Sequence, residues 1–325
     1  MTEEFESVDE ALTRAAKVID GADVVALACH VTPDGDALGS VLALHHVLRA
    51  AGKSSIASFP TPFRVAPHYR DLPGLDLLTR PEEFPTHPHV MATFDCGSLD
   101  RLGGLRPAAE AADELIVVDH HISNDRYGSI NVIDPQAAAS GVLVRKLIDR
   151  LGLPLNDAAA VCLYTALICD TGRFQYESTC TDVFALAGEL VAYDVPVSTL
   201  SRTLFEEHRF AYLQLLSDAL ASAELVREQS FVWTAVTQDM LARHDVSLEE
   251  VEGLIDIIRR TAEADVACVL KEEENGTVKV SLRSVGAADV RHVAAAHGGG
   301  GHRFAAGFTS DVGVAETVDR IRAAL

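Results

Sequence analysis

The sequence predicts an α/β protein in which a larger N-terminal domain with a doubly wound, mainly parallel sheet is followed by a helical linker and a smaller C-terminal α/β domain. Three observations predict it. Short apolar runs alternate with stretches of helical spacing through the first half, the pattern of strand and helix units on a parallel sheet. Three of those runs stop on Asp or His, which sets polar side chains at the carboxyl ends of strands, where open α/β sheets collect their ligands. Beyond residue 225 the pattern changes to a hairpin and a glycine run. The domain boundaries expected on these grounds are 1–190, 191–225 and 226–325.

Taken in order, Ser7-x-x-Glu10 is a capping box that opens a helix to about Asp20. The apolar run 23–29, bounded by Gly21 and Pro33, reads as a buried strand. It hands over to His30-Val31-Thr32-Pro33-Asp34-Gly35-Asp36, and a helical pattern then runs from 37 to 51 and closes at Gly52. One Asp in such a turn is an N-cap, and Asp36 stands in that place. An imidazole and two carboxylates within seven residues make a metal site the better account. Residues 54–59 form the next strand, and the Pro-rich stretch 60–88 is mostly loop. The strand 90–94 ends on Asp95-Cys96-Gly97-Ser98, and 114–118 ends on Asp119-His120-His121. Singly, each is a capped strand end; three at equivalent positions point to one shared site. A helix over 137–151 closes at Gly152, and Asn156 caps a second to about Cys169. Asp170 then faces the unfavourable pole of the helix dipole, so a cation is expected beside it.

From 181 to 225 the apolar spacing is helical, with Glu206, Glu207, His208 and Arg209 on the outer faces. In the last part, 231–236 is a strand, Ser247-x-x-Glu250 caps a helix to about Arg260, and 266–271 with 277–283 make a hairpin about Asn275-Gly276. A helix over 289–297 precedes Gly298-Gly299-Gly300-Gly301-His302-Arg303. Consecutive glycines let backbone amides approach an anion closely, and His302 and Arg303 add charge. The apolar flank 304–308 argues that the run is packed rather than a linker.

Composition narrows the function classes. The 325 residues are 48% hydrophobic, enough for about two domains. With 27 Lys and Arg against 48 Asp and Glu, the net charge of −21 argues against a basic track for long nucleic acid. No run approaches a membrane span, and Met1-Thr2-Glu3-Glu4 lacks the basic start of a signal peptide, so the expected location is the cytoplasm with no membrane partner. The six cysteines form no Cys-x-x-Cys pair and read as small buried hydrophobes, neither disulfides nor zinc ligands. His45, His46, His87, His89, His292 and His297 lie mid-helix, in loop, or before the glycines, and none is expected to be a ligand.

Together His-x-x-Pro-Asp-x-Asp at 30–36, Asp95 after a strand, Asp119-His120-His121 and Asp170-Thr171-Gly172 resemble, in order, the four motifs of the DHH-family phosphoesterases. The Gly-Gly-Gly-His at 299–302 is similar to the signature of their DHH-associated C-terminal domain. The resemblance covers nearly the whole chain and is to the type known as oligoribonucleases and adenosine bisphosphate phosphatases, related to cyclic-dinucleotide phosphodiesterases. It implies two divalent ions, Mn²⁺ or else Mg²⁺ or Co²⁺, one held by His30, Asp34 and Asp95, the other by Asp36, Asp95, His120 and Asp170. Mixed imidazole and carboxylate donors agree with that class of ion. It implies Asp119 and His121 as catalytic residues. His121, Arg283, Ser284, Gly299, Gly300, Gly301 and His302 would bind substrate, with the active site in a cleft between the domains. The expected activity is a phosphodiesterase or phosphatase that cleaves short oligoribonucleotides or linear and cyclic dinucleotides such as pApA and c-di-AMP, or removes the 3′-phosphate of adenosine 3′,5′-bisphosphate. The chain is expected to act as a homodimer. An inorganic pyrophosphatase, a RecJ-type single-strand exonuclease and a non-catalytic nucleotide-binding protein are the alternatives.

Overall fold

The computed structural model describes residues 6–325, so the Met1–Glu4 stretch read for a leader lies outside the described residues. The chain divides into two compact units, one ending at Leu204 and the other beginning at Phe205.

The first unit opens with α1 (Val8–Gly21), whose capping box forms as expected: the Ser7 hydroxyl accepts the Glu10 amide at 3.3 Å and the Glu10 carboxylate accepts the Ser7 amide at 3.1 Å. Next come β1 (Val24–Cys29), α2 (Gly35–Ala50), β2 (Ser54–Ser58), β3 (Val90–Phe94), α3 (Arg106–Glu110), β4 (Glu114–Asp119) and β5 (Ile130–Ile133). The five strands form a wholly parallel sheet in the order β2-β1-β3-β4-β5. The chain leaves β1 in one direction to β2 and returns on its other side to β3. The crevice at the carboxyl ends of β1 and β3 is therefore the switch point of the sheet. Four-residue β5 carries too short a signal to be read from sequence.

The helices α4 (Ser140–Arg150), α5 (Asp157–Asp170), α6 (Thr181–Leu190) and α7 (Val197–Phe205) follow. Both α2 and α5 are buried on nearly every side, as expected of apolar helices enclosed by protein. They approach closely at Gly39, where a Cβ would lie 2.4 Å from the Cys162 carbonyl oxygen. The helix at 37 starts earlier than the sequence suggests. Its N-cap is Asp34, not Asp36, because the chain turns at Pro33 and the Asp34 carboxylate takes the Asp36 and Ala37 amides at 3.1 and 3.0 Å. The cysteines also need one correction: Cys180 is exposed and Cys169 half-buried, whereas the other four are buried, and all six are free.

The second unit contains α8 (Phe210–Ala221), β6 (Glu224–Val226), β7 (Phe231–Val236), α9 (Gln238–His244), α10 (Leu254–Ile258), β8 (Val266–Glu272), β9 (Val278–Ser284), α11 (Val290–Ala295), β10 (Gly300–His302), β11 (Ala305–Ser310) and α12 (Val314–Ala324). Its six-stranded mixed sheet runs β10-β11-β9-β8-β7-β6. One face packs with Tyr212, Leu215, Leu254 and Ile255, the other with Val290, Val293, Val318 and Ile321. Of the stretch expected to be a linker, α7 ends at the boundary between the units, while α8 contributes to the second core. The helix expected from Ser247 to Arg260 breaks into a 3-10 turn, Leu248–Val251, and α10. Among the described residues no helix is long and apolar enough to cross a membrane.

Replacing Gly39 by Ala should overpack the α2–α5 contact and cost about 1–3 kcal/mol. Denaturant unfolding checks this; an unchanged midpoint would show that the two helices separate freely.

Candidate metal centre

The crevice at the switch point gathers the polar strand ends. His30 follows β1, Asp95 follows β3, and Asp119 ends β4, on strands that are successive neighbours in register. Asp95 has φ +53°, the left-handed region that an Asp enters at some cost. Its amide donates to the Val118 carbonyl at 3.0 Å, which fixes that turn. The two carboxylate oxygens then face opposite ways, Oδ2 at 3.5 Å from His30 Nε2 and Oδ1 at 3.5 Å from His120 Nε2.

Three donor groups result within this unit, one of them Asp95, Asp119 and His121, and the other two lack Asp119. His30, Asp34 and Asp95 bring one ligand atom each within 4.8 Å of one another, and so do Asp36, His120 and Asp170. Each imidazole is oriented from behind: His30 Nδ1 is 2.8 Å from the Val31 carbonyl and His120 Nδ1 is 3.0 Å from the Ala137 carbonyl. Carbonyls only accept, so each of these contacts is a hydrogen bond when Nδ1 carries the proton, the tautomer that leaves Nε2 free toward the carboxylates. His120 Nε2 lies 3.0 Å from Asp170 Oδ2, which supplies the cationic neighbour expected at the end of α5. Asp36 is fully buried and accepts the Ser140 and Gly141 amides at 2.6 and 2.9 Å, so the N-terminus of α4 points at it. Ser140 Oγ also donates to Asp95 at 3.0 Å.

So many carboxylates in one buried place demand positive charge. Burial, then the charges of Asp95 and Asp170, push Asp36 well above the carboxylate range. Burial raises Asp170 against the pull of His120. For Asp95 burial acts upward, but the His30 hydrogen bond and the charges of His121, His120 and His30 hold it well below the usual range. Burial keeps the neighbouring thiols neutral, with Cys96 raised to about 12. The donor groups gathered here consist of imidazole nitrogens and carboxylate oxygens with no cysteine among them, a set that fits a first-row divalent ion.

Asp119 is fully buried and organises the other two members of its motif. Its Oδ1 accepts the His120 amide at 2.8 Å and His121 Nδ1 at 2.7 Å, and Oδ2 accepts from the Asn124 amide group. Ser140 and Asn124 were not legible in the sequence, since each is an ordinary polar residue whose role depends on a distant partner.

In the second unit Arg283 lies opposite Ala305, and Ala305 opposite His302, across β9, β11 and β10. The Arg283 Nη1 donates to the Leu282 carbonyl at 3.1 Å, and its Nε is buried with no hydrogen-bond partner among the described residues. The Ser284 amide donates to the Phe304 carbonyl at 2.9 Å. The glycine run is packed: a Cβ on Gly299 would lie 2.1 Å from the Gly307 carbonyl oxygen. The Gly298 and Gly299 amides donate to the Ala295 and Ala294 carbonyls. Those two amides are already committed to ending α11, and the close backbone approach is that of Gly299 to β11.

Burial opposes charging of His121, but the Asp119 hydrogen bond and the charges of Asp95 and Asp119 outweigh it and push the imidazole up to about 9. A histidine raised in this way stabilises the fold fully below its ordinary pKa, and that contribution is lost as the pH climbs through about 9. With divalent ions chelated, Asp119→Asn should bring the His121 midpoint down by at least about one unit. An NMR titration that leaves the midpoint in place would contradict this account of His121.

The chain matches the model of the DHH family, N-terminal domain, over residues 24–167, and that of the DHHA1 domain over residues 229–325. It is 31% identical over 294 residues to the bifunctional oligoribonuclease and PAP phosphatase NrnA of Thermus thermophilus, spanning 90% of this chain and 85% of that protein. It is 25% identical to the cyclic-di-AMP phosphodiesterase GdpP of Geobacillus thermodenitrificans, over 66% of this chain and 32% of that longer protein. A solved exopolyphosphatase-related protein of Bacteroides fragilis shares the fold at TM-score 0.88 and 24% identity, covering all of this chain and 97% of the other. With its motif residues gathered at one switch point and these matches along its length, the chain belongs to the DHH family of phosphoesterases, carrying a DHHA1 domain after the DHH domain.

Proposed function

We propose that the chain is a metal-dependent phosphohydrolase that cleaves short oligoribonucleotides or linear and cyclic dinucleotides to mononucleotides, removes the 3′-phosphate of adenosine 3′,5′-bisphosphate, or does both. The observation that carries it is Asp95, whose two oxygens face two separate donor groups. His30, Asp34 and Asp95 would hold one ion, and Asp36, Asp95, His120 and Asp170 the other, with Mn²⁺ the best fit to the donors. Such a pair of ions supplies an activated water and a clamp on the phosphoryl oxygens. Asp119 fixes the orientation of His121, and the imidazolium so stabilised is the group to donate to a phosphoryl or leaving oxygen. The names of the relatives support nucleotide substrates. In this reading the DHH domain does the chemistry, and Arg283, Ser284, Gly299, Gly300, Gly301 and His302 select the substrate. The unpartnered Arg283 Nε supports an anion there.

A homodimer belongs to the same reading. Phe184 on α6 and Val191 at its C-cap are exposed, 58% and 45%, which gives the first unit apolar surface to pair. Sedimentation at micromolar concentration that shows only monomer would remove this part.

Asp95→Asn should lower hydrolysis of a dinucleotide by roughly a thousandfold or more while leaving the circular dichroism spectrum unchanged. Exhaustive chelation of the wild type should do the same, and undiminished activity after it would end the metal mechanism. Substrate length gives a separate check. On an acidic protein, extra phosphates find no basic track, so kcat/KM should fall from a dinucleotide to an oligonucleotide of about thirty residues. Equal values would contradict the short-substrate reading.

A further inference from the structure

Arg101 stands at the edge of the metal centre, where among the described residues its guanidinium meets His30 and no carboxylate. The loop after β1 is held by the Arg101 backbone, whose carbonyl accepts the Val31 amide at 2.9 Å. The guanidinium is exposed and lies with Nη2 3.0 Å from His30 Nδ1. That nitrogen has one bonding position, and the Val31 carbonyl at 2.8 Å also claims it. If Nδ1 accepted from Arg101, the ring proton would sit on Nε2, the atom turned toward Asp34 and Asp95. When Nε2 serves as a ligand the proton must be on Nδ1, donated to Val31, and the arginine then faces a donor with a donor. Among the described residues no carboxylate lies within ion-pair distance of Arg101, although the centre is rich in them.

A guanidinium released in this way has its planar fork available for an oxyanion. We propose that Arg101 is a substrate-contacting residue of the metal-loaded centre, which leaves His30 and binds a non-bridging phosphoryl oxygen of the group held beside His30, Asp34 and Asp95. The inference rests on the phosphohydrolase reading above and adds the residue that recognises the phosphoryl group from within the first unit.

The test uses the full chain and its Arg101→Ala and Arg101→Lys variants. Mn²⁺ binding and, on the Mn²⁺-loaded proteins, inorganic phosphate binding are measured by titration calorimetry. The expected result is phosphate affinity roughly ten- to hundredfold weaker in Arg101→Ala, partly restored in Arg101→Lys, with Mn²⁺ affinity within about threefold of wild type. Unchanged phosphate affinity in Arg101→Ala, or no phosphate binding by the Mn²⁺-loaded wild type, overturns the proposal. So does a parallel fall in Mn²⁺ affinity, which would make Arg101 a support for His30 alone. A wild type that binds phosphate through Arg101 yet hydrolyses no nucleotide would instead overturn the functional reading and leave this contact standing.

Discussion

Mutual repulsion among buried carboxylates is the constraint on which the first unit depends. Asp36, Asp95 and Asp119 are buried within one crevice, with Asp170 and Asp34 at its margin. No apolar core tolerates this unless each charge meets a donor or a cation. The chain supplies what it can: the amides at the start of α4 for Asp36, the Ser140 hydroxyl for Asp95, and the amides and imidazole of the third motif for Asp119. The remaining carboxylate oxygens are directed inward, toward His30 and His120, where a cation would neutralise them.

The scaffold follows from the same need. Ligand atoms must be held within tenths of an ångström, and strand ends in a parallel sheet do this better than loops, because each strand is fixed on both sides by its ladder. Helices α2 and α5 bring Asp36 and Asp170 to the crevice, and their contact at Gly39 sets how near the helices come. Asp34 serves twice, as the cap that starts α2 and as a candidate ligand. One residue thus links where the helix begins to the shape of the site.

Much of this was legible in the sequence because the signal is local. An apolar run that stops on Asp or His states both the strand and the address of its last side chain, and β1, β3 and β4 are of that kind. What was not legible depends on distant partners. The four residues of β5 become a strand only by pairing with β4. Ser140 is one serine among many until α4 is set against Asp36 and Asp95. The start of α2 was placed too late because the Asp34 side chain competes with Asp36 for the cap and wins by two backbone bonds. The stretch after Ser247 has a true capping box but breaks near Gly253, as its apolar residues are drawn into the second core in two pieces.

The net charge of −21 describes the chain as a whole, and the second unit is acidic as well, yet it holds a local cluster of cations. On the sheet of that unit, Lys271 and Lys279 lie in register on β8 and β9, and both reach Glu252, at 2.7 and 3.1 Å. Burial acts to raise Glu252, but the two ammonium groups bring it down to about 2. One carboxylate cannot neutralise two ammonium groups, so a positive charge is left over, and Lys271, only 1% exposed, cannot give up its partner without being stranded. The surplus therefore falls to Lys279. Arg283 lies four residues further along β9, hence on the same face, with its Nε unpartnered among the described residues. A local cluster of cations thus lies on β8 and β9 of the second unit, while buried carboxylates are concentrated at the switch point of the first. Neither local cluster could be read from the overall balance of Lys and Arg against Asp and Glu.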